Sequence, residues 1–431
     1  MTDPGAVKRG RRVGWPVLLT GGIAVLAAAV LAVVLLNRPD APVGDSSPSP
    51  EASASAASPS AEPSATTSTE PTTTADPTEA PTASIRVAWD DAVTPIGDGF
   101  VSRVTAEGGR YFALGALNND ATIWSSNEGL EWEAATLPFP ASWEREAPVF
   151  VSADHIVSSD DRLVAIGTVG ALDNLNVVVW ESSDGATWTE IDTGAFMVDA
   201  FNARDATVGP AGIVVVTNAY GEGTGSAWLS ADGGRTWSES RPDPGRMSAS
   251  AVVGTASTYL MAGLAYDDEF NPSPRIWTST DGTTWSPATV EGSDGSGGVD
   301  QLTVSGDGTW VATGSLDGRL VAWRSDDGRE WTVVHEFGRE PEQGYRAAWL
   351  AGLPVGFVVV DMNEGITTWT SVDGASWTGT PVERPTAPDD GTAEFALGIG
   401  RVGDRIVLAG PVTTPDAGGT TWHAWIGTVE Q

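Results

Sequence analysis

The nine residues WTSTDGTTW, Trp277–Trp285, decide the fold, because near-copies of them return along the whole second half of the chain and much of the first. An Asp-Gly pair sits between two short runs rich in Ser, Thr and Trp. Asp supplies a side-chain acceptor for the N–H groups of its own turn and Gly tolerates positive φ, so the pair marks a hairpin tip. The Ser hydroxyl can join the same local network. The two Trp residues then stand on the strands entering and leaving that hairpin. Each buries about 150–250 Å² when packed, enough to build a core between neighbouring sheets.

The copies are WSSNEGLEW (Trp124–Trp132), WESSDGATW (Trp180–Trp188), WLSADGGRTW (Trp228–Trp237), WTSTDGTTW, WRSDDGREW (Trp323–Trp331) and WTSVDGASW (Trp369–Trp377). Their first Trp recurs after 56, 48, 49, 46 and 46 residues, and a further step of 56 reaches Trp425. A period near 50 with several Val/Ile/Thr-rich runs per unit is the mark of a β-propeller. Four runs per unit are legible, as in VDQLTV, TWVATGSL, RLVAWRS and EWTVV over residues 298–335. The last unit is one strand short, and an orphan run, SIRVAWDDAV, stands at the front from Ser84. Pairing Ser84–Ala92 with the last unit closes a ring and leaves no bare sheet edge. The expected fold is therefore all-β: a seven-bladed propeller of four-stranded antiparallel blades over residues 84–431.

At this point the residues resemble the Asp-box (BNR) repeat, S-x-D-x-G-x-T-W, of sialidases and sortilin-type receptors. Ser230, Asp232 and Trp237 fit it in full, and shorter copies carry Ser183, Asp184 and Trp188; Ser279, Asp281 and Trp285; Ser325, Asp327 and Trp331; and Ser371, Asp373 and Trp377. The resemblance implies that these residues build the fold away from any active centre. It also implies where a sialidase would betray itself, and the chain departs there. SIRVAWDD around Arg86 has Val-Ala where the family's Phe/Tyr-Arg-Ile-Pro motif has Ile-Pro, and no Tyr-Glu-Arg constellation is visible among five tyrosines.

Ahead of the propeller the composition changes twice. Residues 1–14 form a short basic tail, and residues 15–36 carry no charge. Twenty-two residues make about 33 Å of helix, enough to cross a bilayer. The basic flank places the N-terminus in the cytoplasm and the propeller outside the cell membrane. A cleaved signal peptide is the rival, with a shorter apolar core and an Ala-x-Ala site that is missing directly after Leu36. Residues 37–83 are a Pro/Ser/Thr/Ala-rich acidic linker without aromatics, expected to stay solvated and disordered. The formal charge of −34, with Lys8 the only lysine, disfavours nucleic acid as a partner. The chain has no cysteine and three scattered histidines, His155, His335 and His423, so no metal site or cofactor is expected.

In a four-stranded blade the loops from strand 2 to 3 and from strand 4 to the next strand 1 share one face, opposite the Asp-Gly hairpins. That loop-bearing face is where a ligand is expected. Its stacking surfaces are Trp143, Phe196, Tyr266, Phe270 and Tyr345; its acceptors are Asp267, Asp268 and Glu269; its anion clamps are Arg246 and Arg346. The function expected is a membrane-tethered binding or scaffold module for an envelope protein or wall carbohydrate. A glycan-active hydrolase is the alternative, needing two carboxylates at the channel mouth, such as Glu269 with Asp361 or Glu364. A structural spacer is the third.

Overall fold

The computed structural model describes residues 84–143, 149–171, 174–193, 200–219, 225–242, 245–339, 348–362, 365–386, 392–393, 398–413 and 420–431. The tail, span and linker expected over 1–83 lie outside the described residues. Those that are described contain no helix, so none long and apolar enough to cross a membrane, and all fall in one compact unit, Pro81–Gln431.

Seven sheets follow one another around a ring, antiparallel as expected except that Thr289–Val290 adds a parallel edge to Glu330–Trp331 in blade V. Blade I begins with the inner strand Phe100–Glu107, blade II with Phe150–Ser159, blade III with Ala200–Gly209 and blade IV with Arg246–Gly254. Blade V begins with Gly297–Val304, blade VI with Ala348–Gly352 and blade VII with Ile399–Val402. Blade VII takes its outermost strand from the front of the chain. Arg86–Trp89 pairs with Gly427–Glu430, and Thr94–Gly97 extends the same edge against Trp422–Ala424, farther than the expected Ser84–Ala92. Trp89 stacks on Trp425 at 4.4 Å, and the Trp425 indole N–H donates to Asp90 O. Among the described residues every strand pairs within Arg86–Glu430, inside the one compact unit, as in a domain with its own core.

There are seven cores, one between each pair of neighbouring blades, and the repeat tryptophans sit in them. Trp180 and Trp188 pack against blade I, Trp277 and Trp285 against blade III, and Trp323 and Trp331 against blade IV. The glycine of each hairpin is required twice over. Gly282 and Gly374 have φ of +70° and +72°, and a Cβ there would press on Leu229 and Val214, or on Val311 to within 2.7 Å, in the preceding blade. Any side chain would lever two blades apart.

The hairpin network follows one pattern. Ser279 Oγ donates to Asp281 Oδ1 (3.1 Å) and accepts from Gly282 N (2.9 Å), while Asp281 Oδ1 accepts from Thr283 N and Thr284 N. Ser230 with Asp232 and Ser325 with Asp327 do the same, and Ser371 Oγ donates to Asp373 Oδ1, which accepts from Ala375 N and Ser376 N. In the second copy the serine that does this is Ser182, which bonds Asp184 and Gly185 N; the expected Ser183 is exposed. Two serines stand side by side there, and only the strand-terminal one points under the turn. The indole N–H groups of Trp188, Trp237, Trp331 and Trp377 close each network on the turn's own Gly O, whereas that of Trp285 donates to Ser240 Oγ.

Candidate functional site

Two regions stand away from this repetition: the rim of blade IV on the loop-bearing face, and the inner strands.

On the rim, Arg246 opens the inner strand of blade IV and pairs with Tyr266, which closes the second strand. The next residues turn tightly because Asp267 accepts from Asn271 N (2.8 Å) and Glu269 N (3.0 Å), and from the Asn271 amide (2.8 Å). Those bonds, Asn271's first, hold the Asp267 carboxyl below the usual range. Phe270 sits in the left-handed region (φ 66°), which bulky residues seldom adopt, and is 55% exposed. The Arg246 guanidinium lies over the Phe270 ring, 3.9 Å from its centroid. Tyr266 is half-buried, and burial pushes its hydroxyl pKa up. Asp268 and Glu269 are exposed beside it.

The structure thus gathers Arg246, Tyr266, Asp267, Asp268, Glu269 and Phe270 on one blade. Trp143 is elsewhere, packed half-buried on the core between blades I and II. Phe196, Tyr345 and Arg346 lie outside the described residues, as does Glu364. Asp361 is buried at the end of the second strand of blade VI, two blades from Glu269.

The inner strands hold what the sequence reading missed. Blades I to V each carry a β-bulge at one register, at Ser102, Asp154, Arg204, Ser250 and Asp300. A bulge breaks the in-out alternation and re-aims two successive side chains. The signal was present as consecutive polar residues inside otherwise apolar strands: Ser102-Arg103, Asp154-His155, Arg204-Asp205 and Asp300-Gln301. Arg103 reaches past blade II to blade III, donating to Asp205 Oδ1 (3.3 Å) and to Arg204 O (3.1 Å). Asp205 also accepts from Val252 N of blade IV (2.9 Å), and His155 Nδ1 lies 3.6 Å from it. His155 Nε2 donates to Ala203 O, and burial drives that imidazole's pKa well down, so the ring is neutral. Gln301 repeats the stitch by accepting from Leu350 N.

Asp154 accepts hydroxyl hydrogens from Thr168 (2.7 Å) and Ser152 (2.9 Å). Its enclosure raises the carboxyl pKa to about 6, only partly offset by those hydroxyls and by Arg103. Arg204 and Asp300 are exposed although they lie on innermost strands, so they meet solvent along the central channel. Among the described residues no three His, Cys, Asp or Glu side chains come together as a metal cage.

Comparison with solved structures finds likeness to the α-L-arabinofuranosidase Arb93A of Fusarium graminearum (14% identity, TM-score 0.38, 62% of this chain and 90% of that one). The GH74 xyloglucanase of Xanthomonas campestris is similar at 14% identity and TM-score 0.48, over 78% of this chain and 55% of that one. A Hadza microbial sialidase, Hz136, gives 16% identity and TM-score 0.40, over 72% and 74%. No family model matches the chain, and no curated protein does. At such identities and scores nothing about this chain's chemistry follows from them.

Proposed function

We propose that the chain is a tethered binding module. In this reading an Asp-box (BNR-type) propeller without the sialidase catalytic set is held at a cell membrane by the span at 15–36 and the linker at 37–83. Its loop-bearing face engages an envelope protein or wall carbohydrate, and no cofactor takes part. The observation that carries the reading is Phe270. A large apolar ring left mostly in water, yet fixed by the Asp267 turn on one side and the Arg246 guanidinium on one face, is a pre-formed contact surface. Ordering it before binding lowers the entropy that a partner must supply. The flanking Asp268 and Glu269 add acceptors for hydroxyl or amide groups.

The test is a pull-down with the head, residues 84–431, against solubilised envelope proteins and purified wall polysaccharide in parallel. Capture by the native head and its loss with Phe270→Ala, at an unchanged melting temperature, is the expected result. Equal capture by both proteins removes the rim of blade IV from consideration.

A second reading, a glycan-active hydrolase, is favoured by one observation only. Asp154 on an inner strand has its carboxyl pKa raised by burial to about 6, the direction in which a general acid is tuned. Release of reducing sugar from wall polysaccharide by the native head, abolished in Asp154→Asn, is what that reading requires.

A further inference from the structure

The charges around Phe270 are unbalanced. Asp268 and Glu269 precede it in the turn, and Asp294 stands on the next loop of the same face. All three are exposed, and among the described residues none of them is ion-paired. The arginines nearby are committed elsewhere. Arg241 pairs with Glu239 (3.4 Å), Arg275 donates to Pro274 O and Ser293 O (2.9 Å each), and Arg246 lies over the Phe270 ring. The ring itself is 55% exposed, so it keeps open surface away from Arg246. The same imbalance holds for the whole head, where residues 84–431 carry 49 acidic residues against 18 arginines and no lysine.

These features choose between kinds of partner. Covering ionised carboxylates with neutral hydroxyls strips their water without neutralising them, whereas a cation replaces that water with a charge. An exposed aromatic ring adds its π-face, and Arg246 shows that this ring accepts a guanidinium. Asp267, Asp268 and Glu269 together outweigh the single charge of Arg246 on the same blade.

We infer, on the reading of this rim as the contact surface, that the partner is a protein with a basic segment. One of its arginine or lysine side chains lies against the uncovered surface of Phe270, and Asp268 and Glu269 accept from its N–H groups. The negative field of the head steers such a segment towards it.

The experiment uses the full-length chain in nonionic detergent and follows the fluorescence anisotropy of labelled repeat peptides of equal length: Gly-Arg, Gly-Lys and Gly-Gln. Saturable binding of the two basic peptides is expected, with the Gly-Gln peptide weaker by about tenfold or more. Phe270→Ala weakens the Gly-Arg peptide about threefold, the scale of one exposed contact between ring and cation. Asp268→Asn combined with Glu269→Gln weakens it about fivefold. Asp160→Asn combined with Asp161→Asn removes the same charge from the hairpin face, and Asn suits the left-handed φ of both positions (50° and 59°). That variant should bind like the native chain. No saturable binding of either basic peptide overturns the inference, as does equal weakening by the two double variants, which would assign the binding to the general field. Wall polysaccharide captured by the native chain and lost with Phe270→Ala, with no basic peptide bound, overturns it while leaving the rim as the contact surface. Binding of every probe indifferent to Phe270→Ala removes the rim, and the inference with it.

Discussion

The hairpin face and the inner strands obey opposite rules. Five hairpins from blade II to blade VI repeat one network: a Ser hydroxyl under the turn, an Asp carboxylate over its N–H groups and a Gly against the blade before. The inner strands of blades I to V repeat a backbone feature, the bulge, but fill it with residues of different charge, Ser102 and Ser250, Asp154 and Asp300, and Arg204. Packing fixes the first set, because each hairpin must fit its neighbour. The channel leaves the second set free to differ. Sameness here marks the fold, and difference marks the surface available for chemistry.

The largest effect should come from the cores that the repeat builds. Trp323 is fully buried between blades IV and V and its indole N–H donates to Glu291 O (3.0 Å). Trp323→Ala is expected to cost about 3–5 kcal/mol. A lower urea midpoint at unchanged slope checks it; a loss under ~1 kcal/mol would mean that the seven cores do not share the load as the repeat implies.

Asp205 comes next, as the hub of the inner-strand network. Asp205→Ala strands Val252 N and leaves Arg103 without its carboxylate, for an expected loss of about 2–3 kcal/mol. Asp205→Asn keeps an acceptor for the amide and should recover part of that. Equal losses in the two variants would assign the whole effect to the Arg103 charge and not to the stitch between blades III and IV.

Much of this was legible. Trp spacing gave seven blades, because each Trp must fill one inter-blade core, and the orphan run at Ser84 gave the closure. That Tyr266–Phe270 form an exposed turn was legible from chemistry, since aromatic and acidic residues beside prolines announce one, and the structure sets Arg246 against it. The inner-strand network was not found, because a bulge shifts the alternation by one residue and turns an apparently misplaced polar pair into a correctly placed one. Ser183 for Ser182 failed for a smaller version of the same reason: two identical neighbours differ only in which side of the strand they face.

Asp154 and the hairpin aspartates sharpen the comparison through pH. Asp154 has its pKa raised by burial to about 6, above the ordinary 3.8. The folded state therefore holds a proton that the unfolded chain releases, and stability rises as pH falls from about 6 towards 4. Fully buried, that shift would be worth ~3 kcal/mol; with the side chain only half-buried, about 1–2 kcal/mol is expected after allowing for solvent screening. Asp154→Asn should flatten the rise in melting temperature over that window. An unaltered profile would move the titration to another group.

The smallest effect has the opposite sign. In Asp184 the N–H groups of Thr187 and Ala186, then the Ser182 hydroxyl, hold the carboxyl at about 2. A depressed pKa stabilises the fold above the unfolded value near 3.8, and the benefit is lost as pH falls through 2. Asp184→Ala should lower the melting temperature by about 1–2 °C at pH 7, since one exposed turn among several is released. The difference from the native head should vanish near pH 2. The full profile of the native protein should then climb from pH 6 to 4 on the inner-strand carboxyl and fall below 4 on the hairpin carboxylates together. A profile that only falls from pH 6 downwards would show that the channel wall titrates like the hairpins, and the division between the two regions would not hold.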